Sequence, residues 1–383
     1  MRKVFRPLVV VTVVLLAASG CAYPSATSVQ QDPGVSQQAD QALAELKTAP
    51  GNPGPNGEEP APASAVELTP QDVEKIKALK AKAGIALHFG GNDWSNAQTA
   101  GLKSEFARLG IEVVAVTDAG FSPDKQTSDI ETMLAKEPDI IVSIPTDTTA
   151  TAPAYQKAAA AGVKIVFMDL AAKGMVPGKD YVAIVSADNY RLGEVTANLM
   201  AKAIGGKGKI GMIYHGIDFP VNNERRAGAE ATFKNYPDIQ IVEKKGIVGP
   251  DFAGDAQNVA SAMLSKYADL KGIWAIWDVP AEGVMAAARA TGRLDLAVTA
   301  QDLGKIVALG LARNQLMVGV GAQVPFDQGV TEARVAAGAL IGKKEPTFVS
   351  LGALAVTHDN VLEAWTQVYH QPPPDFLKNA YLP

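Results

Sequence analysis

Short apolar runs alternate with helical patterns along most of the chain. Residues 85–89 form an apolar run, apolar side chains then recur at helical spacing as far as Gly110, and residues 111–116 form the next run. A short apolar run predicts a buried strand, and apolar residues three or four positions apart predict a helix packed on it. The predicted strands occupy residues 85–89, 111–116, 139–144, 164–168, 181–185, 210–214, 239–242, 272–277, 296–300 and 317–322.

The alternation restarts after Asn189, so the chain divides into two halves of similar build. Strands that alternate with helices form parallel sheets whose two faces are both covered. About ten strands are more than one open sheet holds comfortably. We therefore predict an α/β fold made of two doubly wound parallel-sheet lobes.

The first 21 residues have the order of a secretory signal. Three basic residues stand among the first six, an apolar stretch covers 8–16, small residues cover 17–20, and Cys21 follows. The stretch is too short to cross a bilayer, which takes about 20 apolar residues. The end of this segment resembles the lipobox of bacterial lipoproteins. We expect residues 1–20 to be a lipoprotein signal peptide and Cys21 to carry the lipid; an ordinary signal peptide with a bystander cysteine is the alternative.

Residues 21–68 are rich in Pro, Gly, Gln, Ala and Ser. Such a composition buries too little apolar surface to order itself, so we expect a disordered tether, with a short helix possible over 38–47. Thr69 and Pro70 then supply a helix N-cap and a proline at the first helical position. We expect residues 69–84 to form a leading helix before the folded body.

The composition excludes several classes of function. The chain of 383 residues has one Cys and four His, so it cannot hold a disulfide, and a zinc cluster is not expected. Its net charge is −5 and it has no run of Lys and Arg, which disfavours nucleic acid as a partner. The pattern G-x-G-x-x-G occurs once, at 206–211, but it leads into a predicted strand instead of following one. We expect no cofactor and no metal.

Polar and aromatic side chains recur directly after the predicted strands in both halves. In open α/β sheets the ligand lies beyond the carboxyl ends of the strands. Carboxylates accept hydroxyl hydrogens, amides both donate and accept, a guanidinium donates in a fork, and a Trp face covers the C–H side of a sugar. We therefore predict a polar cleft that closes over a small, neutral, hydroxyl-rich ligand. The candidate ligand-binding residues are Asn92, Asp93, Trp94, Asp169, Arg225, Trp277, Asp278, Asp302 and Gln323.

Structural roles compete with binding at several of these positions. An Asp at a strand end is often the N-cap of the next helix, and this alternative stays open for Asp169, Asp278 and Asp302. Arg225 stands beside Arg226, so one of the two is expected to be a solvated surface residue.

The body of the chain resembles the type I periplasmic sugar-binding proteins of ABC importers and is similar to ribose-binding protein. The segments that carry the resemblance are 92–94, 144–147, 167–169, 186–189, 224–225, 277–278, 301–302 and 322–323. The family pattern differs at Ile144, Leu170, Trp277 and Gln301, so ribose itself is not assumed as the ligand.

The resemblance implies how the residues work. Asp169, Arg225, Asp278, Asp302 and Gln323 would hydrogen-bond the ligand, and Trp94 and Trp277 would be platforms. Three crossings, near Ala187, near Gln323 and near 342–344, would join the lobes. The N-terminal lobe would comprise 85–187 plus 324–343, and the C-terminal lobe 188–323 plus 344–383.

The resemblance also implies the function. We expect a monomeric, exported, lipid-anchored binding protein, in the periplasm or on the outer face of the cytoplasmic membrane, that captures a neutral sugar or polyol and delivers it to an ABC permease. One alternative is a sensor that hands its closed form to a chemoreceptor. A less favoured alternative is a carbohydrate-acting enzyme that uses paired carboxylates, against which stands the absence of hydrolase, metalloprotease and phosphate-loop motifs from the body.

Overall fold

The computed structural model describes residues 33–49 and 51–381. The strands are β1 Lys82–Leu87, β2 Glu112–Asp118, β3 Ile140–Ser143, β4 Lys164–Met168, β5 Ala183–Ala187, β6 Lys207–His215, β7 Asp238–Ile247, β8 Leu270–Ala275, β9 Ala297–Gln301, β10 Met317–Ala322, β11 Phe348–Leu351 and β12 Leu354–Val356. The helices are α1 Pro33–Thr48, α2 Pro70–Leu79, α3 Asp93–Arg108, α4 Pro123–Leu134, α5 Ala152–Ala160, α6 Asn189–Ala203, α7 Pro220–Phe233, α8 Phe252–Lys266, α9 Asp278–Ala290, α10 Lys305–Ala312, α11 Pro325–Leu340, α12 Val361–Tyr369 and α13 Asp375–Ala380.

The strands form two six-stranded sheets. The order is β11-β5-β4-β3-β1-β2 in the first lobe and β12-β10-β9-β8-β6-β7 in the second. The pairs are parallel apart from β12, which runs antiparallel to β10 at the edge of the second sheet. The expectation of two doubly wound parallel-sheet lobes is confirmed, and solved structures of the same fold are described below.

Each sheet is buried on both faces. In β3, Ile140 and Val142 belong to one apolar core, and Ile141, which points to the opposite face, belongs to another. In β9, Val298 and Ala297 are divided between two cores in the same way. Successive strand residues face opposite sides of a sheet, so strands covered on both sides read as the continuous apolar runs seen in the sequence.

Three short segments cross between the lobes. The first lies between β5 and α6 and the second between β10 and α11, near Ala187 and Gln323 as expected. The third was expected near 342–344 but lies at 352–353, between β11 and β12. The assignment of residues 344–351 to the C-terminal lobe is therefore wrong, because β11 pairs in parallel with β5 of the first sheet.

The expected tether is also wrong for residues 33–49 and 51–68, whereas residues 21–32 and residue 50 lie outside the described residues. Helix α1 packs on α6 of the second lobe, where Ala39 is fully buried and Lys202 donates to Asp40 over 2.6 Å. The following segment crosses to the first lobe, and Ala61 forms a bridge to Val349 of β11. The leading segment thus spans both lobes and the hinge.

The leading helix is shorter than expected and ends at Leu79. Thr69 and Asp72 form a capping box at its start, and Lys80 ends it in a left-handed conformation. Strand β1 consequently begins at Lys82, inside the range expected to be helical. Among the described helices, none combines the length and apolar character needed to cross a membrane.

Helices α6 and α7 approach closely through two glycines. A Cβ atom on Gly193 would lie 2.0 Å from the carbonyl oxygen of Arg225, and one on Gly228 would lie 2.0 Å from the carbonyl oxygen of Tyr190. Only residues without a Cβ allow the two backbones to be this close. The contact fixes α7 in the second lobe and with it the position of Arg225.

Candidate functional site

A cavity lies between the lobes, at the carboxyl ends of the parallel strands. Eight of the nine candidate residues line it: Asn92, Trp94, Asp169, Arg225, Trp277, Asp278, Asp302 and Gln323. The structure therefore brings together side chains that lie up to 231 positions apart in the sequence. Their contact with a ligand stays a prediction.

Two carboxylates occupy equivalent positions in the two lobes. Asp169 follows β4 with a φ of 59°, and Asp302 follows β9 with a φ of 68°. The N–H of Asp169 donates to Val185 and that of Asp302 donates to Gly321, which holds each turn against the neighbouring strand. Aspartate tolerates this left-handed conformation better than most residues do. Neither is a helix N-cap, so the capping alternative does not hold for these two.

A chain of hydrogen bonds runs across the floor of the cavity. Arg225 donates from Nε to Asn189 over 2.9 Å and from Nη1 to Oδ2 of Asp302 over 3.1 Å. Gln323 donates to Oδ1 of Asp302 over 2.6 Å and accepts from the indole Nε1 of Trp94 over 3.3 Å. The chain joins the first lobe to the second and fixes the direction of the Arg225 guanidinium.

Burial decides the roles of the two neighbouring arginines. Arg225 is 4% exposed, and its ion pair with Asp302 is buried. Arg226 lies near the surface with its guanidinium 4.5 Å from the centre of the Tyr214 ring. The expectation that one of the pair is a surface residue is confirmed.

Asp278 is a buried carboxylate of the cavity that has no ion pair among the described residues. It is 7% exposed, and its Oδ1 accepts from the N–H of Val279. Burial, followed by repulsion from Asp302 and Glu282, raises the pKa of Asp278 well above its ordinary 3.8. A ligand that donates hydroxyl hydrogens to this carboxylate would stabilise its charged form.

Asp278→Asn should raise the free energy of unfolding of the empty protein at pH 7–8. The fold favours the protonated carboxyl, so the stability this group contributes is fully present below pH 3.8 and is lost as the pH rises through the raised pKa. Asparagine is uncharged and nearly the same shape, which removes that loss. Urea unfolding at several pH values from 4 to 8 measures it, and the gap between variant and wild type should shrink towards pH 4. Asp375→Asn, at an exposed position, is the matched control. A gap that does not change with pH would contradict the account.

Asp93 is the one candidate that does not line the cavity. Its carboxylate accepts from the N–H of Lys305 over 2.9 Å and pairs with the ammonium of the same residue over 3.0 Å. Asp93 belongs to α3 of the first lobe and Lys305 begins α10 of the second. The structure therefore gives Asp93 a contact between the lobes in place of the expected position in the cavity.

Several polar and aromatic groups that follow or belong to the strands have structural roles. Trp274 is fully buried and donates to Thr196. The glycine pattern at 206–211 runs into β6, with Gly208 and Gly211 inside the strand, so it does not open a helix as a dinucleotide site does. Asp188 caps α6 through the N–H of Arg191. His215 is buried and bonded to Asn222 over 3.1 Å.

The residues that the sequence reasoning did not propose are mainly aromatic. They are His88, Phe89, Phe121, Ile144, Phe219, Val221 and Asn222. The polar members could have been found, because Asn222 stands in the polar stretch after β6. Phe121 carried no signal, because an isolated phenylalanine in a loop has no periodicity around it.

Among residues 33–49 and 51–381, no group of three or more His, Cys, Asp or Glu side chains is arranged to hold a metal ion. The cavity offers hydrogen-bonding groups and aromatic faces, which suit a small organic ligand with several hydroxyl groups.

Comparison with known proteins agrees with this geometry. Residues 83–344 match the model of the periplasmic binding protein domain. The chain is 29% identical over 253 residues to the ribose import binding protein of Bacillus subtilis, covering 65% of this chain and 78% of that protein. It is 30% identical over 167 residues to the D-ribose/D-allose-binding protein of Pseudomonas aeruginosa, covering 43% of this chain and 51% of the relative.

Solved structures share the fold. An ABC transporter solute-binding protein from Agrobacterium vitis, with bound allitol, superposes with a TM-score of 0.66 at 25% identity, over 74% of this chain and 98% of that one. A second Agrobacterium vitis protein, bound with alpha-D-tagatopyranose, has a TM-score of 0.70 at 23% identity, over 76% and 100% of the two chains. With the family model matched over most of the two-lobed body, the chain belongs to the periplasmic binding protein family.

Proposed function

We propose that the protein is the extracytoplasmic binding component of an ABC importer and captures a small neutral sugar or polyol between its lobes. The observation that carries the proposal is the cavity itself, to which both lobes contribute carboxylate, guanidinium, amide and indole groups. The relatives named for ribose or D-allose binding, and the structure with bound allitol, support the same class of ligand.

Different residues of the cavity make different contacts with the ligand. Asp169 and Asp278 accept hydroxyl hydrogens, Arg225 donates, and Trp94 and Trp277 cover C–H faces. Because the groups come from both lobes, the ligand binds the closed form better than the open form and shifts the population towards it. The closed surface is what a permease would recognise, and a chemoreceptor could use the same surface.

The arrangement of Asp302 supports binding over catalysis. A glycoside hydrolase needs two carboxyl groups that act as acid and nucleophile or base. Both oxygens of Asp302 are engaged, one by Arg225 and one by Gln323. We infer that the protein returns its ligand unchanged.

A thermal-shift screen tests the proposal. The protein is first unfolded, freed of any sugar carried through purification, and refolded. The screen covers pentoses, hexoses, polyols and sugar acids, and we expect one class of neutral compounds to raise the Tm. Chromatography of that ligand after incubation with the protein should show no product. Product formation would favour the enzyme alternative, and a response confined to sugar acids would contradict a neutral ligand.

We also propose a lipid anchor at Cys21, which lies outside the described residues. The expected result is that Cys21→Ser moves the protein from the membrane fraction to the soluble exported fraction, because the thiol is the attachment point. Fractionation with metabolic labelling by a fatty-acid analogue measures both effects. Ser19→Ala, close by and without a thiol, is the control. Unchanged membrane association of the Cys21→Ser protein would contradict the anchor.

A further inference from the structure

Aromatic side chains form a large part of the cavity wall, in addition to the hydrogen-bonding groups described above. Six rings line it, those of His88, Phe89, Trp94, Phe121, Phe219 and Trp277. Phe252 stands behind them, with its ring centre 5.0 Å from that of Trp277 and 5.8 Å from that of Phe121. In a chain with only 6% aromatic residues, this is a strong local concentration.

The carboxylates nearest the hinge and the phenyl rings lie on different sides of the cavity. Asp169, Asp302 and Gln323 follow β4, β9 and β10, strands on the side of the sheets nearer the crossings. Phe89 and Phe121 follow β1 and β2, at the edge of the first sheet that is farthest from the crossings. Two amides, those of Asn92 and Asn222, also line the cavity on the far side, so the phenyl rings form an apolar patch there and not a wholly apolar end.

The histidine in the aromatic part is uncharged but keeps a ring nitrogen without a partner. Burial lowers the pKa of His88 to about 3, so its ring is neutral at neutral pH. Its Nδ1 is buried and makes no hydrogen bond within the described residues. The ring lies parallel to that of Phe219 at 5.9 Å and edge-on to that of Phe121 at 4.9 Å. A ligand hydroxyl placed against the phenyl rings of Phe89 and Phe121, which have no hydrogen-bonding atom, would lose its hydrogen bonds to water without replacing them.

The rings of Phe89, Phe121, Phe252 and Trp277 form one continuous apolar surface. Phe89 and Phe121 stack at 4.9 Å with their planes 17° apart. Phe252 meets Phe121 edge-on at 5.8 Å and Trp277 edge-on at 5.0 Å. Such a surface offers an apolar group extensive contact.

Phe121 is held in a conformation that bulky residues rarely adopt. Its φ is 60°, and its N–H donates to the carbonyl oxygen of His88 over 2.7 Å. Strained backbone of this kind concentrates at ligand contacts, where the surrounding structure maintains it. Here the residue held in this conformation lines the cavity.

We propose that the ligand is amphipathic: a sugar or polyol whose hydroxyl-rich part lies towards the hinge and whose other end is deoxygenated or carries an alkyl or thioalkyl group packed among Phe89, Phe121 and Trp277. This inference rests on the proposed function and narrows its ligand class. The polar end selects a polyhydroxylated compound, and the aromatic end selects against a hydroxyl at the terminal carbon.

Calorimetry with matched pairs of sugars tests this inference. Each pair keeps its stereochemistry and its pyranose ring and differs only at the terminal carbon: D-galactose and 6-deoxy-D-galactose, D-mannose and 6-deoxy-D-mannose, D-glucose and 6-deoxy-6-methylthio-D-glucose. In the pair whose hydroxyls fit the polar end, the member without the terminal hydroxyl should bind about tenfold more tightly or better. If the fully hydroxylated member binds as tightly, the inference falls and the proposed function stands. If no member of any pair binds, the inference falls, and the thermal-shift screen decides separately whether the proposed function falls with it.

A variant of Phe121 shows whether this ring contacts the ligand or only closes the cleft between the lobes. Phe121→Ala should reduce the preference within the responsive pair to about threefold or less, because the apolar end loses its cover. Equal weakening of both members, with the preference retained, would mean that the ring only seals the cleft and would overturn the inference. If Phe121→Ala does not fold, Phe89→Ala, which removes the ring stacked on Phe121, should reduce the ratio in the same way. Phe376→Ala, at an exposed position on α13, is the control and should leave the ratio unchanged.

Discussion

Arg225→Ala should weaken ligand binding by at least about a hundredfold, because it removes a buried charged donor and leaves Asp302 without its counter-ion. The same change should lower the free energy of unfolding of the empty protein by about 3 kcal/mol. The ion pair is buried, and without Arg225 the Asp302 carboxylate keeps its hydrogen bond from Gln323 but has lost its counter-ion. Calorimetric titration and urea unfolding measure the two effects.

Two further variants separate binding from folding. Arg226→Ala removes the neighbouring guanidinium, which lies over Tyr214 near the surface, and should change stability by less than about 1 kcal/mol and leave affinity unchanged. Arg225→Lys keeps the charge but not the planar fork, so it should recover part of the stability and still bind at least about tenfold more weakly. Wild-type affinity in Arg225→Lys would contradict a role for the guanidinium in ligand binding.

Gly228→Ala is the second change with a large expected effect. Helix propensity alone favours alanine by about 1 kcal/mol. The new Cβ, however, would lie 2.0 Å from the carbonyl oxygen of Tyr190, a backbone atom that cannot turn aside. Separating α6 from α7 costs up to about 3 kcal/mol, so the net result should be a loss of stability. Because α7 carries Arg225, affinity should also fall, by about tenfold.

Thermal and urea unfolding test the glycine contact, with Gly338→Ala in α11 as the control. A Cβ on Gly338 would meet Oε1 of Glu345, the far end of a flexible side chain that can turn aside, so the loss should stay below about 1 kcal/mol. Equal effects of the two substitutions would contradict the argument that backbone contact between α6 and α7 sets the cost.

The polar residues of the cavity were predictable because they stand directly after predicted strands. Asp169, Asp302 and Gln323 each follow an apolar run, and the carboxyl ends of parallel strands meet at one edge of a sheet. Asp93 satisfied the same pattern but points to Lys305, because residues on successive positions of a helix start face different directions. Sequence position alone does not distinguish a cavity residue from its neighbour.

The leading segment and β11 were mispredicted for a tertiary reason. A Pro- and Gly-rich composition indicates disorder when a segment must order itself. Here the order comes from partners far along the chain: Asn52 bonds Asp188 through both its backbone N–H and its side chain, and Ala61 pairs with Val349. Strand β11 has only four residues, and its membership of the first sheet depends on pairing with β5 and not on local pattern.

The most direct test of the central claim is a calorimetric titration of the stripped, refolded protein with the sugars and polyols that raise its Tm. The account predicts saturable binding of one neutral ligand per chain, with the ligand recovered chemically unchanged. The absence of binding by every neutral sugar and polyol, or recovery of a product in place of the ligand, would contradict it.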